Sequence, residues 1–254
     1  MKLAFTTEYD GSAFSGFQRQ KNADSVQQNI EEALEKITQN KVVINYAGRT
    51  DSGVHALSQV FDFETDLERP DKNWIDGINS NLVDSIAVSS ISRVPNDFHS
   101  RFSAIERSYT YVIYNSRSKP LFFGNISHWD NNKIDLDVLK QQSQMFLGSH
   151  DFSSFRSSSC NSKNPVKKVN MIDVESHDRF IFITIKANAF LHNMVRIMVG
   201  TLLDIAKGEI DYSIEEILQK KIEVLQEKLF QLKVCFFLDL NIIQNLILLV
   251  QPII

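Results

Sequence analysis

The sequence has few cysteines, and their placement excludes two common kinds of stabilisation. Cys160 and Cys235 lie far apart among the 254 residues and form no CxxC pair, so neither a disulfide framework nor a cysteine zinc site is expected. No HExxH helix, clustered carboxylate set, phosphate-binding glycine loop or nucleophile elbow is present. We therefore expect no metal, and the cysteine usage fits a reducing compartment such as the cytoplasm.

Long uninterrupted apolar runs are also missing, so no membrane association is expected. The most apolar stretch, residues 234–254, is interrupted by Asp239, Asn241, Gln244, Asn245 and Gln251. Such interruptions argue against a membrane-spanning helix. The residues that follow Met1 alternate as in a strand and lack the shape of a signal peptide.

An excess of positive charge is absent as well. The net charge is −4 and the pI is about 5.9, which by itself argues mildly against nucleic-acid binding. Net charge says little about a local groove, however. The N-terminal loop combines aromatic rings with polar and basic groups that suit an RNA backbone and its bases, among them Phe14, Arg19 and Gln20. Arg156 and Lys163 belong to a second basic loop, for which simple solvation is the alternative.

Hydrophobic periodicity predicts a mixed protein of the α+β or α/β class. Strands are predicted at residues 2–9, 42–46, 60–65, 86–92, 107–114, 170–176 and 179–187, and helices after Ser25 and Ser213 and at 71–81, 135–147 and 191–206. Antiparallel pairing is expected where strands follow each other closely. We place a domain boundary near residue 105, which gives domains of 1–105 and 106–254. In the strand at 60–65, Phe61 and Phe63 lie opposite Asp62 and Glu64.

The segment from Ala47 to His55 is the most informative for chemistry. Asp51 stands between Gly48 and Gly53 in a loop between two predicted strands. Glycines there allow tight backbone angles and close approach, which is typical of a positioned catalytic carboxylate. The alternative is an ordinary turn residue that caps its own backbone.

A second candidate is Arg196, which lies within a strongly apolar helix pattern. A buried guanidinium requires a partner. It could form a structural ion pair or extend to solvent, or it could hold a catalytic carboxylate ionised and oriented. Asp51 is the candidate for that carboxylate. On the strand at 107–114, Tyr109 and Tyr111 share a face, either to stack on a base or to pack in the core.

The stretch from Ala47 to His55 resembles the active-site signature of the tRNA pseudouridine synthase A family, in which arginine, threonine and aspartate stand in succession. Other segments resemble the family in the same order along the chain: 9–20, 25–27, 98–104 before Tyr109, 150–160 and 186–196. After about residue 221 the resemblance ends, because the family's glycine- and proline-bearing segment is missing. The tail, 222–254, is divergent, although residues 234–240 could form a last strand.

The resemblance implies two mixed domains whose largely antiparallel sheets, flanked by helices, meet at a central cleft, and a homodimer. It implies isomerisation of uridine to pseudouridine in the tRNA anticodon stem-loop, at roughly positions 38 to 40, which requires the target base to leave the stem stack. No cofactor and no metal are implied. Asp51 would be the nucleophile or base and Tyr109 would stack on the uracil. The remaining substrate-binding candidates are Phe14, Arg19, Gln20, Arg49, His55, Arg156, Lys163 and Arg196.

Two other functions stay open. The divergent tail could leave a tRNA-binding protein without catalysis, which would bend or chaperone tRNA. Alternatively, Asp51 and His55 could serve an unrelated hydrolase. Turnover of unmodified tRNA, with Asp51→Asn as control, distinguishes these from an active synthase.

Overall fold

The computed structural model describes residues 1–160 and 162–222 and the backbone of 235–237. The chain forms two compact units. Unit 1 is Met1–Ile105 with a short return of the chain at Phe236, and unit 2 begins at Glu106. Both units combine strands with helices, which confirms the predicted mixed fold class.

Unit 1 contains an antiparallel sheet with β1 (Lys2–Tyr9) between β3 (His55–Glu64) and β4 (Ile86–Val94). The short strand β2 (Asn45–Tyr46) pairs antiparallel with β3, and β10 (Cys235–Phe237) pairs parallel with it. Two helices, α1 (Val26–Thr38) and α2 (Asp71–Asn79), pack against each other.

The core of unit 1 is an aromatic cluster. The Phe5 ring stacks on Phe61 at 5.1 Å and on Phe63 at 5.8 Å. Trp74, fully buried on α2, meets Phe5 and Phe63 edge-on. These large rings occupy one face of β1 and β3, because alternate residues of a strand point to the same side.

Unit 2 holds the strand order β5 (Arg107–Asn115), β9 (Phe180–Ala187), β8 (Val166–His177), β7 (Gly148–Asp151), with antiparallel neighbours. A short strand, β6 (His128–Asp130), pairs parallel with β5. Its helices are α3 (Leu136–Gln144), α4 (Met194–Ala206) and α5 (Ile214–Lys220). Helix α4 is apolar on most faces and nine of its residues are buried, so the predicted burial of this helix is confirmed.

The helix starts predicted at Ser25 and Ser213 are confirmed, whereas the capping box expected at Ser25 is absent. Ser25 caps α1 by accepting from the Gln28 backbone at 3.3 Å, but the Gln28 side chain donates to Glu32 instead of closing a capping box. Ser213 and Glu216 form the full reciprocal box at α5.

Several strand predictions were wrong in extent. The strand predicted at 42–46 is present only at 45–46, whereas β3 begins at His55, five residues earlier than predicted. Neither β6 nor β7 was predicted. A last strand is present at 235–237, as predicted, and the rest of the divergent tail after Ile222 lies outside the described residues. Within the described ranges, no helix is long and apolar enough to cross a membrane.

Candidate active site

The Asp51 loop, defined as Ala47–Val54, connects β2 with β3 and carries a half-buried Asp51. Two backbone hydrogen bonds shape it. The Ala47 N–H donates to the Val60 carbonyl at 2.9 Å, and the Val54 N–H donates to the Asp51 carbonyl at 3.1 Å. Gly53, with φ of 77°, occupies the left-handed region that this turn requires. The aspartate is thus the first residue of a closed four-residue turn.

Side chains of β1 and β3 hydrogen-bond to the Asp51 loop. The Tyr9 hydroxyl hydrogen-bonds the Thr50 hydroxyl at 2.8 Å, and the Gln59 side-chain amide donates to the Gly48 carbonyl at 2.7 Å. Tyr9, Thr50 and Gln59 are all buried. Burial raises the pKa of Tyr9 far above its ordinary value, against the lowering by hydrogen bonds from Thr50 and Gln59. Tyr9 therefore stays a neutral phenol beside the residue that precedes Asp51.

The N-terminal loop also hydrogen-bonds to the Asp51 loop. The Phe17 N–H donates to the Thr50 carbonyl at 3.0 Å, and the Ser52 hydroxyl donates to the Phe14 carbonyl at 3.2 Å. Two glycines allow this contact. A Cβ on Gly11 would stand 1.9 Å from the Val54 carbonyl oxygen, a distance at which the backbone would have to shift.

Gly16 has a φ of 96°, and a Cβ there would stand 2.8 Å from the Thr50 carbonyl oxygen. The structure therefore brings the predicted N-terminal loop directly against the Asp51 loop. Phe14 itself is buried, so its ring supports the loop from within unit 1.

His55 lies at the start of β3 and is buried. Its Nδ1 is 3.1 Å from an oxygen of the Asp10 carboxylate. Asp10 also accepts from the Ser12 backbone at 2.9 Å and from the Ser12 hydroxyl at 2.6 Å. Partial burial raises the pKa of Asp10, but the Ser12 hydrogen bonds and the charge of His55 outweigh it, so that the pKa falls below its usual value.

Three polar candidates of unit 1, Arg19, Gln20 and Arg49, lie on its surface. Arg19 is 44% exposed, and its Nε pairs with the buried carboxylate of Glu31 at 2.9 Å. The Gln20 amide donates to the Ser15 carbonyl at 2.7 Å, which keeps it on the same loop. Arg49, two residues before Asp51, is exposed. These groups are accessible to a phosphate backbone.

In unit 2, Tyr109 on β5 is half-buried, and its ring meets Phe190 edge-on at 5.0 Å. Tyr111, on the same face, is fully buried. Arg196 lies in the first turn of α4 and is half-buried, although the residues around it are buried. The pairing of Asp51 with Arg196 joins residues of the two units and stays a prediction.

The second basic loop is hydrogen-bonded to His192, which lies just before α4. The Ser157 backbone donates to the His192 carbonyl at 3.1 Å, and the Ser157 hydroxyl lies 2.7 Å from the His192 Nδ1. Arg156 donates to the Ser162 carbonyl at 3.3 Å, and Lys163 is exposed. Among the residues that the structure describes, no three His, Cys, Asp or Glu side chains are grouped to hold a metal ion.

Comparison with known proteins identifies the family of the chain. A family model described as tRNA pseudouridine synthase matches residues 6–103 and 143–228, which include the Asp51 loop, its N-terminal partner and α4. The chain belongs to the tRNA pseudouridine synthase family. As a member of this family, the protein is an RNA-modifying enzyme of the pseudouridine synthase class.

Relatives named tRNA pseudouridine synthase A cover most of the chain. One from Hydrogenovibrio crunogenus is 44% identical over 222 residues, 86% of this chain and 84% of the relative. Another, from Shewanella piezotolerans, is 46% identical over 209 residues, 82% of this chain and 80% of the relative. The family match ends at residue 228, so most of the divergent tail lies beyond it.

Among solved structures, the archaeal box H/ACA sRNP Nop10-Cbf5 complex has a TM-score of 0.36 and 10% identity, over 80% of this chain and 43% of that one. A Cbf5-Nop10-Gar1 complex has a TM-score of 0.35 and 10% identity, over 80% of this chain and 45% of that one. These values are too low to add to the family assignment.

The residues that anchor the Asp51 loop were not identified as anchors from the sequence. Tyr9 ends the predicted strand at 2–9 and Gln59 precedes the predicted strand at 60–65, and nothing in either place distinguishes a polar anchor from an ordinary residue. Asp10 and Ser157 lie in segments that resemble the family, but neither was assigned a role of its own. Only their hydrogen bonds to Gly48, Thr50, His55 and His192 identify them.

Proposed function

We propose that the protein converts uridine to pseudouridine in the anticodon stem-loop of tRNA, with Asp51 as the catalytic carboxylate and without a cofactor. The observation that carries the proposal is the immobilised Asp51 loop. Hydrogen bonds from β1, from β3 and from the N-terminal loop converge on residues 48–52. Such preorganisation places a reacting group without further cost during the reaction.

The chemistry needs few parts. The bond between the ribose C1′ and uracil N1 breaks, the base turns, and C1′ bonds to C5. C5 loses its proton and N1 gains one, so atoms and electrons balance without an oxidant or reductant. Asp51 acts either as a nucleophile at the sugar or base, or as the base that removes the C2′ proton. Both routes need an ionised carboxylate, which a neighbouring guanidinium such as Arg196 would favour.

The other candidates take supporting roles in this proposal. Tyr109, half-buried against Phe190, would stack on the extruded uracil. Extrusion costs a few kcal/mol, which stacking and phosphate contacts offset. Arg49 would hold the opened backbone beside the Asp51 loop. The remaining contacts to the RNA backbone would come from Arg19, Gln20, Arg156 and Lys163, while Phe14 and His55 support the loops from within.

We also propose a cytoplasmic homodimer as the active form. With a net charge of −4, attraction to tRNA has to come from local groups of cations. Two copies would present twice as many of these to one tRNA. Light scattering of the purified protein at micromolar concentration measures the assembly state, and a monomer that turns over tRNA at full rate would refute the dimer.

The test measures pseudouridine formation on an unmodified tRNA transcript carrying tritium at uridine C5, since the reaction releases that hydrogen to water. Asp51→Asn keeps the shape of the side chain and removes its charge, so kcat should fall by at least about a hundredfold. Asp66→Asn, an exposed aspartate of unit 1, is the matched control and should retain full activity. Turnover by Asp51→Asn within a few-fold of the parent would refute the assignment.

A second candidate function is tRNA binding without catalysis. It is favoured by the divergent tail, because the family match ends at residue 228. The same assay separates the two functions. Tight binding of the transcript together with no tritium release, by the parent protein itself, would identify the binding protein.

A further inference from the structure

Residues His99–Ser103, here called the His99 corner, form an exposed group of a ring and a cation to which the proposed function gives no role. Phe102 is 74% exposed. The His99 ring lies 4.4 Å from the Phe102 ring, and the Arg101 guanidinium lies 5.6 Å from the same ring. An exposed aromatic ring beside a guanidinium is the arrangement with which proteins stack on a nucleobase and hold its phosphate.

The corner is rigid because it is hydrogen-bonded to itself. The Phe102 and Ser103 backbones both donate to the His99 carbonyl, at 3.0 and 2.8 Å. The His99 backbone donates to the Ser103 hydroxyl at 3.0 Å, and the Arg101 backbone donates to the His99 Nδ1 at 3.2 Å. The Nδ1 of His99 is thus occupied as an acceptor, and Arg101 supplies the permanent positive charge of the corner.

A buried carboxylate anchors the corner to the sheet. Ser100, which lies between His99 and Arg101, donates its backbone N–H to Asp62 Oδ1 at 2.6 Å, and its hydroxyl binds the same oxygen. Asp62 on β3 has no exposed surface, and its other oxygen accepts from Asn45 at 3.0 Å. A corner held this firmly loses little conformational entropy when it binds a ligand.

We propose that the His99 corner is a second tRNA contact, where Phe102 stacks on an unpaired base and Arg101 pairs with the adjoining phosphate. This inference rests on the proposed function only for the identity of the ligand. A single exposed ring with one cation matches one nucleotide. The acidic character of the whole chain makes such local contacts necessary for binding RNA.

The test compares variants of the full chain in two measurements: the Kd for unmodified tRNA, and kcat with KM from tritium release. Phe102→Leu keeps an apolar side chain and removes the ring, so Kd and KM should each rise about tenfold with kcat within twofold. Phe102→Trp keeps a stacking surface and should restore both. Phe122→Leu is the matched control, because Phe122 is also an exposed ring, at 83%, in unit 2.

Arg101→Gln tests the phosphate contact. We measure Kd between about 50 and 200 mM salt. The slope of log Kd against log salt concentration should decrease by close to one, because one phosphate contact fewer releases one counterion fewer. The inference is overturned if Phe102→Leu behaves like Phe122→Leu, or if Phe102→Trp fails to restore binding. It is also overturned if the variants change the assembly state and leave tRNA affinity intact, since the corner would then be a protein interface.

These outcomes are separable from failure of the proposed function. If the parent protein makes no pseudouridine while Phe102→Leu still weakens tRNA binding, the proposed function fails and the second contact stands. If the parent is active and Phe102→Leu matches it in Kd and KM, the reverse holds.

Discussion

Replacement of Asp62 by asparagine should destabilise unit 1 although the two side chains have the same shape. Asp62 is fully buried and uses its oxygens for different partners. Oδ1 receives both donors of Ser100, whereas Oδ2 receives Asn45 at 3.0 Å and lies 3.7 Å from the Lys2 ammonium. The asparagine carbonyl can replace Oδ1. Its amide then faces two other donors at the position of Oδ2.

The size of the destabilisation depends on the partners that Lys2 retains. Breaking a buried ion pair costs about 3–5 kcal/mol when the remaining charge has no other partner. Lys2 is 8% exposed, and it retains Glu64 at 3.5 Å and the Asn96 carbonyl at 3.4 Å. These partners reduce the loss, whereas the donor-to-donor contact with Asn45 adds to it. We expect a decrease of about 2–4 kcal/mol in the free energy of unfolding.

Urea unfolding followed by tryptophan fluorescence measures this effect. The chain has two tryptophans, Trp74 buried in unit 1 and Trp129 in unit 2, so a Trp129→Phe background reports on unit 1 alone. Glu64→Gln, which changes an exposed partner of the same lysine, is the control and should cost less than about 0.5 kcal/mol. A midpoint for Asp62→Asn equal to that of the control would refute the reasoning.

The effect should depend on pH. Burial raises the pKa of Asp62, but hydrogen bonds from Asn45 and Ser100 and the charge of Lys2 lower it more, so the folded-state pKa lies below its ordinary value. A depressed carboxylate pKa contributes stability that is complete above the unfolded value of about 3.9 and is lost as pH falls through the folded value. The difference between the parent and Asp62→Asn should thus be constant from about pH 5 to 8 and shrink below about pH 4.

Two further predictions concern the Asp51 loop and a helix end. Gly16→Ala would force a Cβ to within 2.8 Å of the Thr50 carbonyl oxygen at a φ of 96°. Displacement of the turn should lower kcat about tenfold or more, and the strain should lower the free energy of unfolding by about 1–3 kcal/mol. An unchanged kcat would contradict this. Ser213→Ala removes the hydroxyl that accepts from the Glu216 backbone and leaves the bond from the backbone N–H of residue 213 to the Glu216 carboxylate. It should cost about 1 kcal/mol in thermal or urea unfolding of unit 2, while Ser213→Thr should keep most of the stability.

Alternation within β3 shows how far pattern analysis extends. Phe61 and Phe63 face the aromatic core, as the period of two requires. The opposite face carries two acidic residues, of which Asp62 is fully buried while Glu64 is 74% exposed. The difference arises because Asn45, Lys2 and Ser100 cover Asp62. A chain pattern carries no information about which distant segment will cover a polar side chain.

Short-range physics was sufficient for the mixed fold class, for the caps at Ser25 and Ser213, for the apolar burial of α4 and for the placement of Asp51 in a glycine-bearing turn. Each depends on contacts within one turn or on the periodicity of one element, which neighbouring residues determine together. Only the folded chain brought Tyr9 to Thr50 and Ser100 to Asp62, across separations of 41 and 38 residues. Contacts of that length depend on strand register and on which groups lose water together, so they are properties of the tertiary structure.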